Sequence, residues 1–453
     1  MARRSRFLAD SLDLLNLAWP VIINRLGVMM LGVVDTIMVG QYAVTHLAAM
    51  GVGLVPSNIL ILIHIGLLVG VQVLVAQAFG AKDYKACGAT LLRAIPYAFL
   101  LGMVGVALCQ FGEPFFLLFG QPEELARFGG ELLMISGLSL PFLGVYMACS
   151  LFLEGLRRVR PGMMIMIVAN VMNVVLNYSL IFGAWGLPEL GAKGALWASL
   201  IIRISQLAMI AGVIWLTIDR AKFGLNRWPR VEWRAATEMR RMGYFSAVSM
   251  GIENGAFNAL ALFAGLLGTV ALAAHVITIN VFALGFMLGL GFAASTSIRV
   301  GNAHGAGHHA EAYRLGWLGF SVHAILVGLL GIGISVYALS IVGLYTSDPE
   351  VQALAERMLA YLALAIVLDT TQALFSQCLR ARGDTRTPMF IHLLAYGVVM
   401  LPMTYVFCFT LGRGPLGLID STVLSSIISA ILTAYFFTRQ GREFSLAGAS
   451  VKT

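Results

Sequence analysis

The sequence predicts an all-α integral membrane protein whose twelve transmembrane helices form two six-helix lobes related by pseudo-two-fold symmetry. Three observations support this fold class. Only 11% of the 453 residues are charged and 59% are hydrophobic, whereas a typical soluble domain is about 25% charged. The apolar residues form runs long enough to cross a bilayer as helices. The second half of the chain also repeats part of the pattern of the first.

Twelve apolar runs meet the requirement of about 20 residues for a transmembrane helix. The first begins near Leu12 and is too long for the core of a signal peptide, so it is interpreted as a retained helix. Such continuous runs exclude the weakly alternating strands of a β-barrel. The predicted spans are 12–40, 47–77, 90–112, 130–157, 161–183, 192–218, 241–265, 272–300, 314–344, 354–380, 387–412 and 418–439.

The longest polar stretch divides the chain into an N-lobe at 1–218, a cytoplasmic connector at 219–240 and a C-lobe at 241–453. Shifting the second half by 225 positions aligns residues 272–274, Leu-Ala-Ala, with the identical residues 47–49. Six helices repeated in the same order predict two parallel repeats related by an axis along the membrane normal. Two such lobes would enclose a central cavity.

The basic residues are concentrated in alternate loops, which indicates membrane topology rather than a nucleic-acid surface. If both termini are cytoplasmic, the cytoplasmic segments hold 24 of the 30 Lys and Arg residues, and the outside loops hold four. An odd number of helices would scramble this distribution. The sequence contains no Walker-type phosphate loop and no large polar block, which excludes a nucleotide-driven pump.

Three acidic residues interrupt the apolar runs: Asp35, Glu253 and Asp369. A charged side chain at bilayer depth costs about 2.5–3.5 kcal/mol on insertion scales, so we expect these residues to face a protein interior or a water-filled cavity. Asn173 and Asn177 are four residues apart and therefore share one helix face. With Asp35 they could hold a proton or a small hard cation, which prefers oxygen ligands. Interhelical hydrogen bonding is the alternative role of the two amides.

Glu253 and Asp369 lie on predicted helices of the C-lobe. If they approach each other, like-charge repulsion and desolvation favour the protonated form of at least one, which allows proton uptake and release. A cation held between them and a structural pair sharing one proton are the alternatives. Under the repeat, Glu253 corresponds to Val28 and Asp369 to Tyr146. The acids are not duplicated, and this asymmetry favours a functional role.

Other polar and aromatic residues of these helices have weaker interpretations. Candidates for lining a substrate cavity are Asn254, Asn258, Phe257 and Phe286, because aromatic faces attract cations; packing between helices is their alternative role. Arg25 is expected to reach the membrane interface. Glu154 is expected to form an ion pair with Arg157 on a helix surface.

No metal site and no cofactor are predicted. The five cysteines lack the spacing of metal ligands and are interpreted as small buried residues. Three histidines have a spacing compatible with a metal cluster, but they fall in a Gly-rich loop after the eighth predicted helix and are interpreted as solvated. These are His304, His308 and His309.

Five further motifs occur in order and in register with the twelve spans. They are Leu-Ala-Trp-Pro ending at Pro20, Val-Asp-Thr-Ile-Met-Val-Gly around Asp35, Gln-Ala-Phe-Gly-Ala from Gln77, Asn-Val-Val-Leu-Asn-Tyr from Asn173, and Arg-Gly-Asp-Thr-Arg-Thr-Pro ending at Pro388. With Glu253 in the seventh helix, this set resembles the multidrug and toxic compound extrusion (MATE) family. The likeness covers nearly the whole chain and is greatest to the NorM-like bacterial branch.

The resemblance implies a transporter rather than an enzyme, built of two six-helix bundles around a V-shaped cavity. It implies export of cationic, lipophilic compounds in exchange for H⁺ or Na⁺ by alternating access. The expected location is the bacterial inner membrane, with both termini in the cytoplasm. We expect a monomer whose partners are the lipid bilayer and small cationic hydrophobic substrates, with no nucleic acid.

The resemblance also implies roles for particular residues. Asp35, Asn173 and Asn177 would form an N-lobe site for a cation or proton, and the C-lobe site would contain Glu253 and Asp369. Pro20 would match the helix-1 proline whose bending has been proposed to accompany protonation in a related branch of the family. One departure is visible: Ala365 stands where some NorM-like members carry a Tyr, one turn before the acid of the tenth helix.

Two other classes of function fit parts of the sequence. A flippase for a lipid-linked precursor, or an exporter of an endogenous metabolite, would share the architecture. A flippase would need several basic side chains for a pyrophosphate, and Arg25 and Arg203 are the intramembrane cations available. An intramembrane enzyme could use Asp35 and Asp369 as an aspartyl pair, but no His-rich metal motif or Gly-x-Ser-x-Gly sequence supports it.

Overall fold

The computed structural model describes residues 2–226 and 236–450, with side chains at 7–226 and 236–441. Within these ranges all regular secondary structure is helical. Residues 227–235, which include part of the predicted connector and three of its arginines, lie outside the described residues.

Nine α-helices and one short 3-10 helix, Ala184–Gly186, precede residue 227 among the described residues. The α-helices are α1 (Ala2–Tyr42), α2 (Val44–Gly53), α3 (Val55–Gly80), α4 (Tyr84–Cys109), α5 (Gly112–Leu118), α6 (Glu123–Leu138), α7 (Leu140–Gly155), α8 (Arg160–Phe182) and α9 (Ala192–Thr217).

Eight α-helices follow residue 235. They are α10 (Thr237–Leu266), α11 (Thr269–Gly305), α12 (His309–Val336), α13 (Ala338–Gly343), α14 (Pro349–Ala381), α15 (Arg386–His392), α16 (Leu401–Tyr405) and α17 (Leu416–Ser450). Two π-helical segments, Leu393–Met400 and Val406–Thr410, flank α16. Together α15, α16 and these segments form one continuous helical stretch.

The helices match the predicted spans closely. Eleven helical stretches of the described residues are long and apolar enough to cross a membrane. The remaining predicted span, 241–265, coincides with α10, whose composition is more polar because it begins with charged residues and contains Glu253. Three predicted spans are interrupted at Leu54, Ser139 and Tyr337, where one helix ends and the next begins.

Local sequence explains several helix boundaries. The Asp348 carboxylate accepts hydrogen bonds from the amides of Glu350 and Val351, and Pro349 occupies the first turn of α14. Asp side chains satisfy free N–H groups at helix starts, and proline has no N–H to leave unpaired there. Pro402 lies inside a helical stretch, where proline disturbs the helix because its nitrogen has no N–H to donate. The two π-helical segments lie on either side of it.

The described residues group by contacts into two compact units. One unit, unit 1, contains the residues up to Ile22 together with those from Val248 onward; the other, unit 2, is Ile23–Ala247. Helix α1 therefore contributes its first half to unit 1 and its second half to unit 2. The lobe boundaries at residues 218 and 241 stay a prediction.

Each unit is held together by tightly packed helices. In unit 1, α14 packs against α11, α12 and α17. In unit 2, α4 packs against α7, and α8 packs against α9. A Cβ atom at Gly194 would collide with the Leu180 carbonyl, and one at Gly331 with the Ala363 carbonyl. Small residues allow such close approach, and the resulting van der Waals packing contributes to helix association in membranes.

Candidate functional site

Unit 2 contains a carboxylate held by three neutral donors. Asp35 lies on the second half of α1, and its Oδ1 atom accepts hydrogen bonds from Nδ2 of Asn173 at 2.8 Å and of Asn177 at 2.6 Å. Ser199 on α9 donates to Oδ2 at 3.2 Å. The structure therefore brings Asp35, Asn173 and Asn177 together. Their role as an ion or proton site stays a prediction.

The amide oxygens beside Asp35 are also informative. Oδ1 of Asn173 and Oδ1 of Asn177 are buried and have no hydrogen-bond partner among the described residues. Both asparagines are fully buried, so these oxygens have lost water without gaining a donor, which is costly. A proton on Asp35 or a bound cation could interact with such oxygens. Asn170 differs, because its amide donates to the backbone oxygens of Gly27 and Met166.

Unit 1 contains a second carboxylate site, on α14. Asp369 is 1% exposed. Its Oδ1 atom accepts hydrogen bonds from the Tyr396 hydroxyl at 3.0 Å and from Ser426 Oγ at 2.9 Å. Its Oδ2 atom has no partner among the described residues. Tyr396 lies in the π-helical segment Leu393–Met400, and Ser426 lies on α17.

Helix α14 also brings Glu253 to this site. Gln372 is three residues after Asp369, so the two side chains share a helix face. Nε2 of Gln372 donates a 2.9 Å hydrogen bond to Oε1 of Glu253. Oε2 of Glu253 lies 3.5 Å from Nδ1 of His392. Because Gln372 shares this face with Asp369, the structure places Glu253 beside the part of α14 that carries Asp369. The sequence had left such an approach open.

None of the three carboxylates is neutralised by a contacting lysine or arginine. Among the described residues, the basic side chain within ion-pair distance of one of them is His392, which lies beside Glu253 and is charged only when protonated. The partners of Asp35 and Asp369 are amides and hydroxyls, which orient a carboxylate without cancelling its charge. Arg203 acts on Asp35, and Arg380 on Glu253, electrostatically but without an ion-pair contact. The carboxylates are therefore only partly compensated.

The four predicted cavity residues fall into two groups. Asn254 and Asn258 are exposed, and each amide donates to the backbone oxygen four residues earlier, so neither contacts a carboxylate. Phe257 and Phe286 belong to an aromatic row of unit 1. Ring centroids are 6.2 Å apart between Phe286 and Phe282, 6.5 Å between Phe282 and Phe257, and 6.0 Å between Phe257 and Tyr396. This row ends at the phenol that binds Asp369.

One interpretation from the sequence was wrong. Glu154 does not lie on a helix surface: it is 4% exposed and accepts a 2.8 Å hydrogen bond from Gln72. Its ionic partner is Arg25, whose Nη2 atom lies 3.7 Å from Oε2 of Glu154. The expectation that Arg25 reaches the membrane interface stays a prediction. The two residues form a buried polar cluster because each supplies the charge that the other needs. Pro20 lies inside α1, two residues before the division between the units.

Sequence reasoning missed several partners of the carboxylates: Tyr396, Ser426, Gln372, His392 and Ser199. The rule that polar residues inside apolar runs mark functional positions would have found His392 and Gln372. A tyrosine or serine in a membrane helix gives no such signal. The histidine interpretation was also imprecise, since His304 belongs to the last turn of α11. No group of three metal-binding side chains occurs in the part of the chain that the structure describes.

Known proteins resemble this chain over most of its length. The MatE family model matches residues 20–179 and 246–406. The probable multidrug resistance protein NorM of Caulobacter vibrioides is 35% identical over 94% of this chain and 91% of its own length. The multidrug resistance protein PmpM of Pseudomonas aeruginosa is 30% identical over 98% of this chain and 94% of its own length.

Solved structures confirm the fold. The eukaryotic MATE transporter AtDTX14 superposes with a TM-score of 0.85 at 20% identity, over 97% of this chain and 98% of its own. A mutant of the Vibrio cholerae MATE transporter VcmN superposes with a TM-score of 0.87 at 18% identity, over 97% of this chain and 98% of its own. The predicted all-α membrane fold is thus confirmed. The chain belongs to the MatE family and is a MATE transporter similar to the NorM proteins.

Proposed function

We propose that this chain is a secondary antiporter that exports cationic, lipophilic compounds across the bacterial inner membrane in exchange for H⁺ or Na⁺. The observation that supports it most is the set of three carboxylates, Asp35, Glu253 and Asp369, held by donors but paired with no contacting lysine or arginine. Such groups inside a membrane protein are costly, and they mark ion pathways and proton relays.

The chemistry of the cycle follows from competition for these charges. In the outward-facing state an acid takes up the ion and the substrate leaves. In the inward-facing state the ion leaves, and the negative site attracts a cationic substrate. One charge moving down 100 mV provides about 2.3 kcal/mol, and one pH unit adds about 1.4 kcal/mol. Coupling requires that ion and substrate compete, either directly or through the conformational equilibrium.

The aromatic row of unit 1 supports a flat, cationic substrate. Phe286, Phe282 and Phe257 stack toward Tyr396, and aromatic faces attract organic cations. The relatives named as multidrug resistance proteins favour the same substrate class. We therefore expect the cavity of this chain to accept lipophilic cations such as ethidium. Asn254 and Asn258 are retained as weaker candidates for contacting them.

The proposal also covers the membrane topology, the oligomeric state and the helix that bends. The charge distribution supports cytoplasmic termini, and we propose a monomer with no cofactor. Pro20 is proposed as the position where α1 bends during the cycle. A lipid-linked precursor flippase is less well supported, because Arg25 is paired with Glu154 and so is not free for a pyrophosphate.

Everted membrane vesicles from cells expressing the chain test this function. Ethidium uptake is recorded with an imposed Na⁺ gradient and, separately, an imposed H⁺ gradient. We expect one gradient to drive uptake and the Asp369→Asn variant to lose at least about tenfold of that rate, since its side chain cannot be charged. The exposed Glu124, changed to Gln, is the matched control and should transport normally. Full gradient-driven uptake by Asp369→Asn would refute the coupling role.

A further inference from the structure

Glu253 is connected to a buried arginine within its own unit. Oε2 of Glu253 lies 3.5 Å from Nδ1 of His392, and this ring nitrogen lies 3.0 Å from Oγ of Ser249. Ser249 Oγ accepts a 3.0 Å hydrogen bond from Nη2 of Arg380. The other ring nitrogen of His392 contacts Oγ of Ser376 at 3.3 Å, which fixes the plane of the imidazole.

Arg380 has one evident counter-charge. Its side chain is 4% exposed, and its Nε atom has no hydrogen-bond partner among the described residues. The carboxylate at the other end of its contacts through Ser249 and His392 is that of Glu253. An arginine stays protonated in proteins, and an uncompensated buried charge is strongly destabilising. Glu253 is therefore the group that balances Arg380.

The charges of this cluster can be counted. The ionisable groups that face Glu253 are Asp369 and Arg380 on α14, His392 on α15 and Tyr396 in the π-helical segment. When both carboxyl groups are deprotonated and the imidazole and phenol are uncharged, one negative charge remains after Arg380 is counted. One monovalent cation is then enough to neutralise the cluster. Without Arg380 two negative charges would remain.

We propose that Arg380 is a positioning residue that acts through Glu253 as its permanent counter-charge and lowers the affinity of this site for the coupling cation. The inference deepens the proposed function and rests on it. A unit charge several ångströms from a partly buried site changes an ion-binding constant by about tenfold or more. An exchanger must release its ion as well as bind it. The guanidinium of Arg380 favours release because it reduces the net charge that attracts the cation from two negative charges to one.

The experiment uses the full chain, purified and reconstituted in proteoliposomes. Ethidium transport is measured against the concentration of the driving ion, with Na⁺ and H⁺ gradients imposed separately. Arg380→Gln should lower the half-saturating ion concentration by about tenfold and reduce the maximal rate, because the ion is retained. Arg380→Lys keeps the charge and should stay within about threefold of the wild type. A purely structural role would not move the half-saturating concentration.

The Glu253→Gln background separates a direct effect from a general one. There, adding Arg380→Gln should change the half-saturating concentration by no more than about twofold, because the carboxylate that Arg380 balances is gone. The double variant should also unfold at a higher temperature than Arg380→Gln alone. If Arg380→Gln does not fold, recovery of folding in the double variant supports the pairing, and failure of both overturns it.

The two proposals fail in different ways. Ion-driven transport by the wild type with an unchanged half-saturating concentration in Arg380→Gln overturns the role of Arg380 and leaves the antiporter intact. Absence of ion-driven transport by the folded wild type under either gradient removes the antiporter proposal and this inference with it.

Discussion

The hydroxyl of Tyr396 donates a 3.0 Å hydrogen bond to the Asp369 carboxylate from a π-helical segment. Both residues are at most 1% exposed. Turns of π-helix are rare and occur frequently at functional sites. Here the segment precedes Pro402, so the backbone that places the phenol is already irregular. Ala365 stands one turn before Asp369, where the sequence comparison noted a Tyr in some NorM-like members. Tyr396 thus supplies a phenol from a different helix.

Tyr396→Phe removes this donor and keeps the ring. A hydrogen bond to a charged group contributes about 1.5–3 kcal/mol, so the ionised carboxylate loses that support. We expect the affinity of Asp369 for its cation to rise by at least about tenfold. The maximal export rate should fall because the ion is released more slowly. Ethidium transport against driving-ion concentration measures both. The exposed Tyr435, changed to Phe, is the control. An unchanged ion dependence in Tyr396→Phe would show that the phenol is only a packing group.

Asn173 and Asn170 lie on the same helix and offer a matched pair. Asn173 donates to Asp35, whereas Asn170 donates to the backbone of Gly27 and Met166. We expect Asn173→Ala to change the ion concentration for half-maximal transport by about tenfold, because Asp35 loses a hydrogen bond to its charged carboxylate. Asn170→Ala should lower the melting temperature but leave the ion dependence unchanged. Equal effects of the two substitutions on ion dependence would contradict a specific role for the Asp35 site.

The Arg25–Glu154 pair has a structural role in this interpretation. Glu154 is buried between Gln72 and Arg25. Replacing one member of a buried ion pair lowers the free energy of unfolding by about 3–5 kcal/mol. Because Arg25 is partly exposed, we expect the loss in Glu154→Ala to lie near the lower limit of this range. Thermal unfolding of the purified protein measures the loss. The ion concentration for half-maximal transport should not change, and a change in that quantity would assign this cluster to the ion cycle instead.

Asp10 binds the start of α1 to two arginines of unit 1. Its carboxylate accepts a 2.6 Å hydrogen bond from Arg314, and its backbone oxygen accepts a 2.7 Å bond from Arg299. Asp10→Asn weakens the charged contacts by about 1.5–3 kcal/mol. We therefore expect faster hydrogen–deuterium exchange in residues 7–22, read by mass spectrometry. Asp10→Glu retains the charge and should exchange like the wild type. Unaltered exchange in Asp10→Asn would indicate that apolar packing alone fastens this segment.

Much of the fold could be predicted because membrane helices have a strong sequence signal. A run of about 20 apolar residues has few alternatives in a bilayer, so most span ends agree within several residues. The interruptions at Leu54 and Ser139 were missed, because no charged or strongly polar segment marks them. Glu253 was recognised inside α10 for the opposite reason, since a carboxylate stands out in an apolar run.

The partners of each carboxylate were harder to predict. Asn173 and Asn177 could be placed on one face from their spacing alone. Ser426 and Tyr396 reach Asp369 from two other helices, and one sequence gives no information about such long-range packing. Glu154 was misplaced because its neighbour Arg157 suggested a local pair, while Gln72, far away in sequence, is the partner that hydrogen-bonds it.

The most direct measurement records ion and substrate movement in the same proteoliposomes. Vesicles loaded with the driving ion receive a pulse of ethidium, and ion release is followed with a fluorescent Na⁺ or pH indicator. The wild type should release ions in proportion to the ethidium it moves. The triple variant Asp35→Asn, Glu253→Gln, Asp369→Asn should fold and release none above empty vesicles. Ion release at the wild-type rate by that variant would contradict the view that these carboxylates load and unload the coupling ion.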